Sequence, residues 1–372
     1  MTLATDLPSR RRSGVRPASL LSTDMWTIRA RRLTRSILAA AMIAFLPSES
    51  GLAETVRMVT GPPGSSVNLV MTSLATSPTG LHGPLAGIDL VVIAGGNTAR
   101  QMVETARGGH DIVLATPGFL QQMMDGGGVF GRLPEAPALS RNLGLLFWFP
   151  GGAWHVAVRA GSGIDRLSDL RGRRVWPGRP RSDERDLAIA WIRAVTGLVP
   201  GDDFVVVRSE PREAQKAFLS GDIDAWVSVG IPPFREVAGL ARSSPIRLLG
   251  LEPDDAASPN EAVLALNSDP GLRLETIDPG IYSRRVVNDG PVHTLGTIAG
   301  VMARMDVAEQ PVYGITRSFW EIIGTQQQVA PYLRRVSLDG AFDGLAVSLH
   351  PGALRYYREI GLEIPKGFAV GR

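Results

Sequence analysis

From residue 55 onward, apolar runs of strand length alternate with stretches whose apolar residues recur at helical spacing. This alternation is the tightest constraint on the fold: it argues an α/β protein, mostly parallel sheet flanked by helices. Strands are expected at 56–59, 90–94, 112–115, 143–149, 155–159, 174–176, 205–207, 225–229, 247–251 and 292–302. Helices are expected at 66–76, 98–107, 183–196, 213–219, 234–241, 311–323 and 352–360, with Gly197 closing the third.

The alternation also repeats. One copy runs strand, Gly61, a Pro- and Ser-rich turn, helix, strand and helix, then Gly109-His110-Asp111 and a strand ending at Thr116-Pro117. The other runs strand, Gly178, turn, helix, strand and helix, then Gly221-Asp222-Ile223-Asp224 and a strand carrying Ser228 ahead of Pro232. Two similar lobes with loops at their strand ends would enclose a cleft, and ligands of open α/β sheets bind at such ends.

Charge is unevenly placed. The chain of 372 residues has 39 basic and 36 acidic side chains, but residues 1–53 hold Arg10, Arg11, Arg12, Arg16, Arg29, Arg31, Arg32 and Arg35 against only Asp6, Asp24 and Glu49. The remainder is slightly acidic, so nucleic acid is dropped as a partner. Arginines 29–35 precede the apolar run Ile37–Leu46, and small residues then lead to Ala53. This is the layout of a secretory signal peptide cleaved near Ala53, and the run is about half the length a membrane span needs. Met25 is a plausible start, and Arg31-Arg32 leaves general and twin-arginine export both open. The expectation is an exported, soluble, periplasmic protein. The absence of Cys excludes disulfides, thiolate metal sites and a cysteine nucleophile.

Catalytic motifs are missing. The five histidines (82, 110, 155, 293, 350) lack ligand spacing, the only lysines (Lys216, Lys366) do not follow Gly, and no Gly-x-Ser-x-Gly elbow occurs. The reading is therefore no metal, no cofactor and no enzyme. What remains is three turns that deliver backbone N–H groups to helix starts: Gly61 to Ser65-Ser66, Gly95-Gly96-Asn97-Thr98, and Gly178-Arg179-Pro180-Arg181-Ser182. Helix starts favour anions, and Arg179 and Arg181 would add bidentate recognition. The competing reading is that Ser66, Asn97 and Ser182 are simply N-caps. The candidate ligand-binding residues are Gly61, Ser65, Ser66, Asn97, Thr98, Thr116, Arg179, Arg181, Ser182 and Ser228.

Four stretches resemble the TAXI-type solute receptors of TRAP transporters. They are Leu349-His350-Pro351-Gly352-Ala353-Leu354-Arg355-Tyr356-Tyr357; His155-Val156-Ala157-Val158-Arg159-Ala160-Gly161 with Leu167–Val175; Leu219-Ser220-Gly221-Asp222-Ile223-Asp224-Ala225-Trp226; and Val292–Gly296 running on to Tyr313–Glu321. The resemblance implies a two-lobed type II periplasmic-binding fold, lobe one at 54–150 and 290–372 and lobe two at 151–289. Crossovers near Pro150-Gly151-Gly152 and Asp289-Gly290-Pro291 would form its hinge. It also implies a monomeric receptor that closes on a glutamate-like, 2-oxo or dicarboxylic acid and docks on a TRAP-type permease. The turns depart from the family: Pro62, Pro63 and Ser65 replace part of its Thr-Gly-rich first turn, and Arg179 to Glu184 replace its small second turn. Alternatives are the same fold serving an ABC importer for sulfonates or similar anions, a sensor subunit, or an exported α/β enzyme.

Overall fold

The computed structural model describes residues 53–368 apart from 64, 77–84, 86, 181 and 329. The leader expected at 1–53 thus lies outside the described residues but for Ala53, as does Arg181; of Ser66 only the backbone is described. Among the described residues, no helix is long and apolar enough to cross a membrane.

The first repeat copy builds β1 (Glu54–Thr60), β2 (Ile88–Ala94) and β3 (Ile112–Ala115), paired in parallel in the order β2-β1-β3. Between them run α1 (Ser66–Ala75) and α2 (Thr98–Ala106), and α3 (Pro117–Asp125) and α4 (Ala136–Ser140) follow. The second copy builds β5 (Arg174–Trp176), β6 (Val205–Val206) and β7 (Ala225–Gly230), again parallel, in the order β7-β5-β6. Its helices are α5 (Asp183–Thr196) and α6 (Pro211–Ser220), with α7 (Arg235–Ser243) beyond β7.

The two copies share a clamp. Asp111 accepts from the backbone N–H of Arg57 at 2.8 Å and from its Nε at 3.4 Å. Asp224 does the same to Arg174, at 2.8 and 3.0 Å. In each copy, then, the Asp that follows the Gly signals ties the third strand's start to the first strand, at mid-strand in β1 and at the first residue in β5. Asp224 is held below the usual carboxylate range by the hydrogen bonds and charge of Arg174, which outweigh its burial.

Parallel pairing is confined to these flanks. In the middle, β4 (Leu143–Arg159) and β10 (Val292–Arg304) run antiparallel to their neighbours, and one ten-stranded sheet results, of mixed sense. The strands expected at 143–149 and 155–159 are thus one strand that passes through Pro150-Gly151-Gly152. It pairs with β10 up to Pro150 and with β7 from Ala153 onward. Gly152 makes this possible, because its φ is +144° and a Cβ there would lie 2.7 Å from the Gly230 carbonyl carbon of β7. No residue with a side chain adopts that geometry without strain. The second passage also lies inside a strand. β10 pairs with β9 (Leu272–Ile277) from Val292 to Thr297 and with β4 from Ile298 to Arg304, so the switch falls after the Asp289-Gly290-Pro291 turn.

The remaining elements are β8 (Ile246–Leu249), α8 (Pro253–Ala257), α9 (Glu261–Asn267), α10 (Glu309–Gln326) and α11 (Pro351–Glu359). The helices α3, α4, α8 and α9 and the strand β9 go beyond the sequence reading. In α3 the segment Thr116-Pro117-Gly118 reads as a turn, yet Pro suits the first helical position, where no N–H is needed, and Thr116 caps it.

Buried side chains form separate clusters. The largest gathers Val56 to Phe149 with Ile231 and Ile298 to Phe368, around Phe147, Phe149, Phe319 and Trp320. The other two lie between Ala153 and Leu295, one around Trp154 and Trp191, the other around Trp176, Phe218, Trp226 and Phe234.

Candidate ligand-binding cleft

A cleft of about 750 Å3 opens where the parallel strand ends of both repeat copies face each other. Its lining includes the Gly61–Ser65 turn, Gly95, Gly96 and Thr98, and Thr116 to Gln122 at the start of α3. From the other copy come Arg179, Pro180, Ser182 and the first turns of α5; Gly151 and Trp154 of β4 and Thr297 to Ala299 of β10 complete it. Both strands that pass between the clusters therefore contribute to it at their crossing points.

The hydroxyl and amide candidates are helix caps first. Ser65 accepts from the Asn68 N–H at 3.3 Å, Asn97 from Arg100 N–H at 2.8 Å, Thr116 from Phe119 N–H at 3.4 Å and Ser182 from Arg185 N–H at 3.2 Å. The capping reading thus holds for Asn97 and Ser182. For the first helix the cap is Ser65 and not the expected Ser66, which is the first helical residue, and Thr116 caps a helix that the sequence reading does not include. Ser182 also donates its own hydrogen to the Arg179 carbonyl at 2.9 Å, so it has no donor left for an anion. Ser65 and Thr116 line the cleft while their O–H groups donate to no described residue, and both retain a donor for a ligand. Asn97 caps α2 without lining the cleft, whereas Thr98 and Gly61 line it.

Ser228 falls elsewhere. It lines a recess of about 40 Å3 beside the cleft, walled by Trp154, Trp176 and Phe234, and its Oγ accepts from Trp226 Nε1 at 2.9 Å. Arg179 borders both spaces. It is partly buried, and its guanidinium makes no hydrogen bond or ion pair among the described residues. Glu236 shares the recess; burial pushes its carboxyl up, against the pull of the Arg179 and Arg235 charges. Arg181 and the Ser66 side chain are outside the described residues.

Several lining residues carry no sequence signal. Trp154 reads as an ordinary core residue, yet it meets the cleft two residues after the glycine pair of β4. Asp269 sits on the loop before β9, far in sequence from every candidate turn. The Asp269 Oδ1 accepts from Gly271 N–H at 2.7 Å, and the Ile298 N–H of β10 donates to the Gly271 carbonyl at 2.9 Å, which brings the loop to the cleft. Among the described residues, no group of three or more His, Cys, Asp or Glu is placed to hold a metal ion.

The model of the NMT1-like family matches residues 58–361, which takes in the strands from the middle of β1 onward, the crossover segments and every cleft residue. The chain belongs to the NMT1-like family. Solved structures are similar to this NMT1-like chain at low identity and low structural overlap. The periplasmic aliphatic sulphonate binding protein SsuA from Escherichia coli is 16% identical over 82% of this chain and 83% of its own, with a TM-score of 0.43. The alkanesulfonate-binding protein SsuA from Xanthomonas axonopodis pv. citri, bound to MOPS, is 15% identical over 82% and 90%, with a TM-score of 0.41. A TRAP periplasmic solute binding protein from Sulfitobacter sp. NAS-14.1, with bound β-D-galacturonate, is 12% identical over 83% and 88%, with a TM-score of 0.40.

Proposed function

We propose that this chain is an extracytoplasmic solute-binding receptor that takes a small anionic solute into the cleft and delivers it to a membrane permease. The observation that carries the reading is Arg179: a partly buried guanidinium with no hydrogen bond or ion pair among the described residues, beside the amino end of α5 and on the wall of a cleft of about 750 Å3. A guanidinium whose N–H groups are not used by the described residues supplies two parallel donors, and the helix start adds further positive potential. Ser65 and Thr116 face the same space with free O–H donors. No nucleophile with its base lines the cleft among the described residues, which suits binding rather than turnover.

Residues 54–150 with about 290–372 form one lobe in this reading and 151–289 the other, with β4 and β10 as the hinge strands. Closure about them would bury the solute. The TAXI-type resemblance supports a TRAP-type permease as partner, and the residue pattern at 29–53 supports export to the periplasm with cleavage near Ala53.

The test is calorimetric titration of the chain from residue 54 with a panel of small carboxylates and sulfonates. An acid is expected to bind, and Arg179→Ala is expected to weaken it by roughly tenfold to a hundredfold, the worth of a charge-assisted hydrogen bond. Unchanged affinity in that variant overturns the Arg179 role, and no binding by any acid overturns the receptor reading.

A further inference from the structure

Resting on that receptor reading, we infer that the solute is single-headed: one anionic group on an apolar body, and not a dicarboxylate. Two independent features of the cleft lead there. The first is where its positive potential lies. Arg179 is the one cation among the described lining residues, whereas Glu184, Asp186 and Asp269 are acids. Asp186 stands with Arg185 at 3.0 Å, but Asp269 has no cation within ion-pair distance among the described residues. Asp269 instead occupies the amino end of α3. A Cβ built on Gly118, the second residue of that helix, would lie 2.5 and 2.6 Å from its two carboxylate oxygens. The α3 start is thus already answered by the protein's own anion, and a second ligand carboxylate reaching it would meet a like charge. Among the described lining residues, Arg179 is then the one full positive charge left for an anionic head group.

The second feature is the wall between these ends. Val67, Leu114, Phe119, Trp154, Leu187 and Ile298 line the cleft beside the few hydroxyls of Ser65, Thr98, Thr116 and Thr297, so a solute polar along its whole length would be desolvated there with fewer partners than it loses. An aliphatic or aromatic body fills the same space while removing its own apolar surface from water.

Probes of equal carbon number separate the possibilities: hexanoate, hexane-1-sulfonate and adipate, titrated calorimetrically into the chain from residue 54. Hexanoate or hexanesulfonate is expected to bind at least tenfold tighter than adipate, and the better of the two tells whether the head is a carboxylate or a sulfonate. Asp269→Asn keeps the acceptor for Gly271 N–H while removing the charge, so it is expected to narrow the gap by strengthening adipate and leaving the single-headed probe within about twofold. Adipate equal to or tighter than both probes, or an unchanged gap in Asp269→Asn, overturns the inference. In the former case weakening of adipate by Arg179→Ala would leave the receptor reading standing, while failure of every acid would remove both.

Discussion

His155 shows how much of this chain's chemistry is structural. It begins a stretch that resembles a receptor family, yet it lies fully buried, with Nδ1 2.8 Å from the Ala153 carbonyl and Nε2 2.7 Å from the Tyr282 hydroxyl. A carbonyl only accepts, so Nδ1 carries the proton and Nε2 accepts from Tyr282, whose oxygen in turn accepts from Phe234 N–H at 2.8 Å. Burial leads the causes that lower this histidine from its ordinary 6.5 to about 3. The sign follows: above 6.5 folded and unfolded chains are both neutral here, and as pH falls only the unfolded chain takes up the proton. Stability from this group is therefore complete above about pH 6.5 and is lost toward pH 3, with about 2 kcal/mol gone by pH 5. Urea unfolding between pH 7 and pH 4 checks this, and His155→Gln is expected to flatten that part of the profile while lowering stability at pH 7. His350 is a second case: its Nδ1 accepts from Gly352 N–H at 3.1 Å and its Nε2 donates to the Val307 carbonyl at 3.2 Å, so the signature around it caps α11.

At the scale of elements, β4 and β10 decide the architecture. Each is paired on one side of its crossing point with one set of strands and on the other side with another. Thr294 Oγ1 donates to the Trp154 carbonyl at 3.0 Å and Thr297 Oγ1 to the Gly152 carbonyl at 3.3 Å, so the two strands are also stitched by side chains near the cleft. The narrowest point is Gly152 against Gly230. Gly152→Ala is expected to destabilise the fold by about 1–3 kcal/mol, since the added methyl needs both backbone movement and a φ that alanine resists. A lower urea midpoint at unchanged slope is the expected readout. A slope change would instead point to β4 parting from β7 locally.

For the molecule as a whole, the prediction concerns motion. If β4 and β10 act as hinge strands, a bound solute contacts both walls of the cleft and favours the closed arrangement by its differential affinity. Small-angle scattering with and without saturating hexanoate, or whichever acid binds best, is expected to show a smaller radius of gyration on binding. An unchanged radius with binding confirmed by calorimetry would mean that the cleft is preformed and rigid.

Local chemistry is what the sequence determined by itself. Strand and helix periods, the Gly-Asp signals of the repeat, the cap residues Asn97 and Ser182, and the turn bearing Arg179 are all properties of neighbouring residues, so they are legible in one dimension. The cap of α1 falls one residue before the expected Ser66, at Ser65, and Thr116 as a cap lies outside the sequence reading. The tertiary structure alone decided which of those turns meet. It placed Asn97 and Ser228 off the cleft and brought Trp154, Thr297 and Asp269 onto it. It also joined two expected strands into β4, because the Pro-Gly-Gly that reads as a break is tolerated where two backbones must pass within contact of each other. The reason is the same throughout: capping and periodicity act over a few residues, whereas the cleft is set by pairings between segments more than a hundred residues apart, such as Ile298 with Pro150.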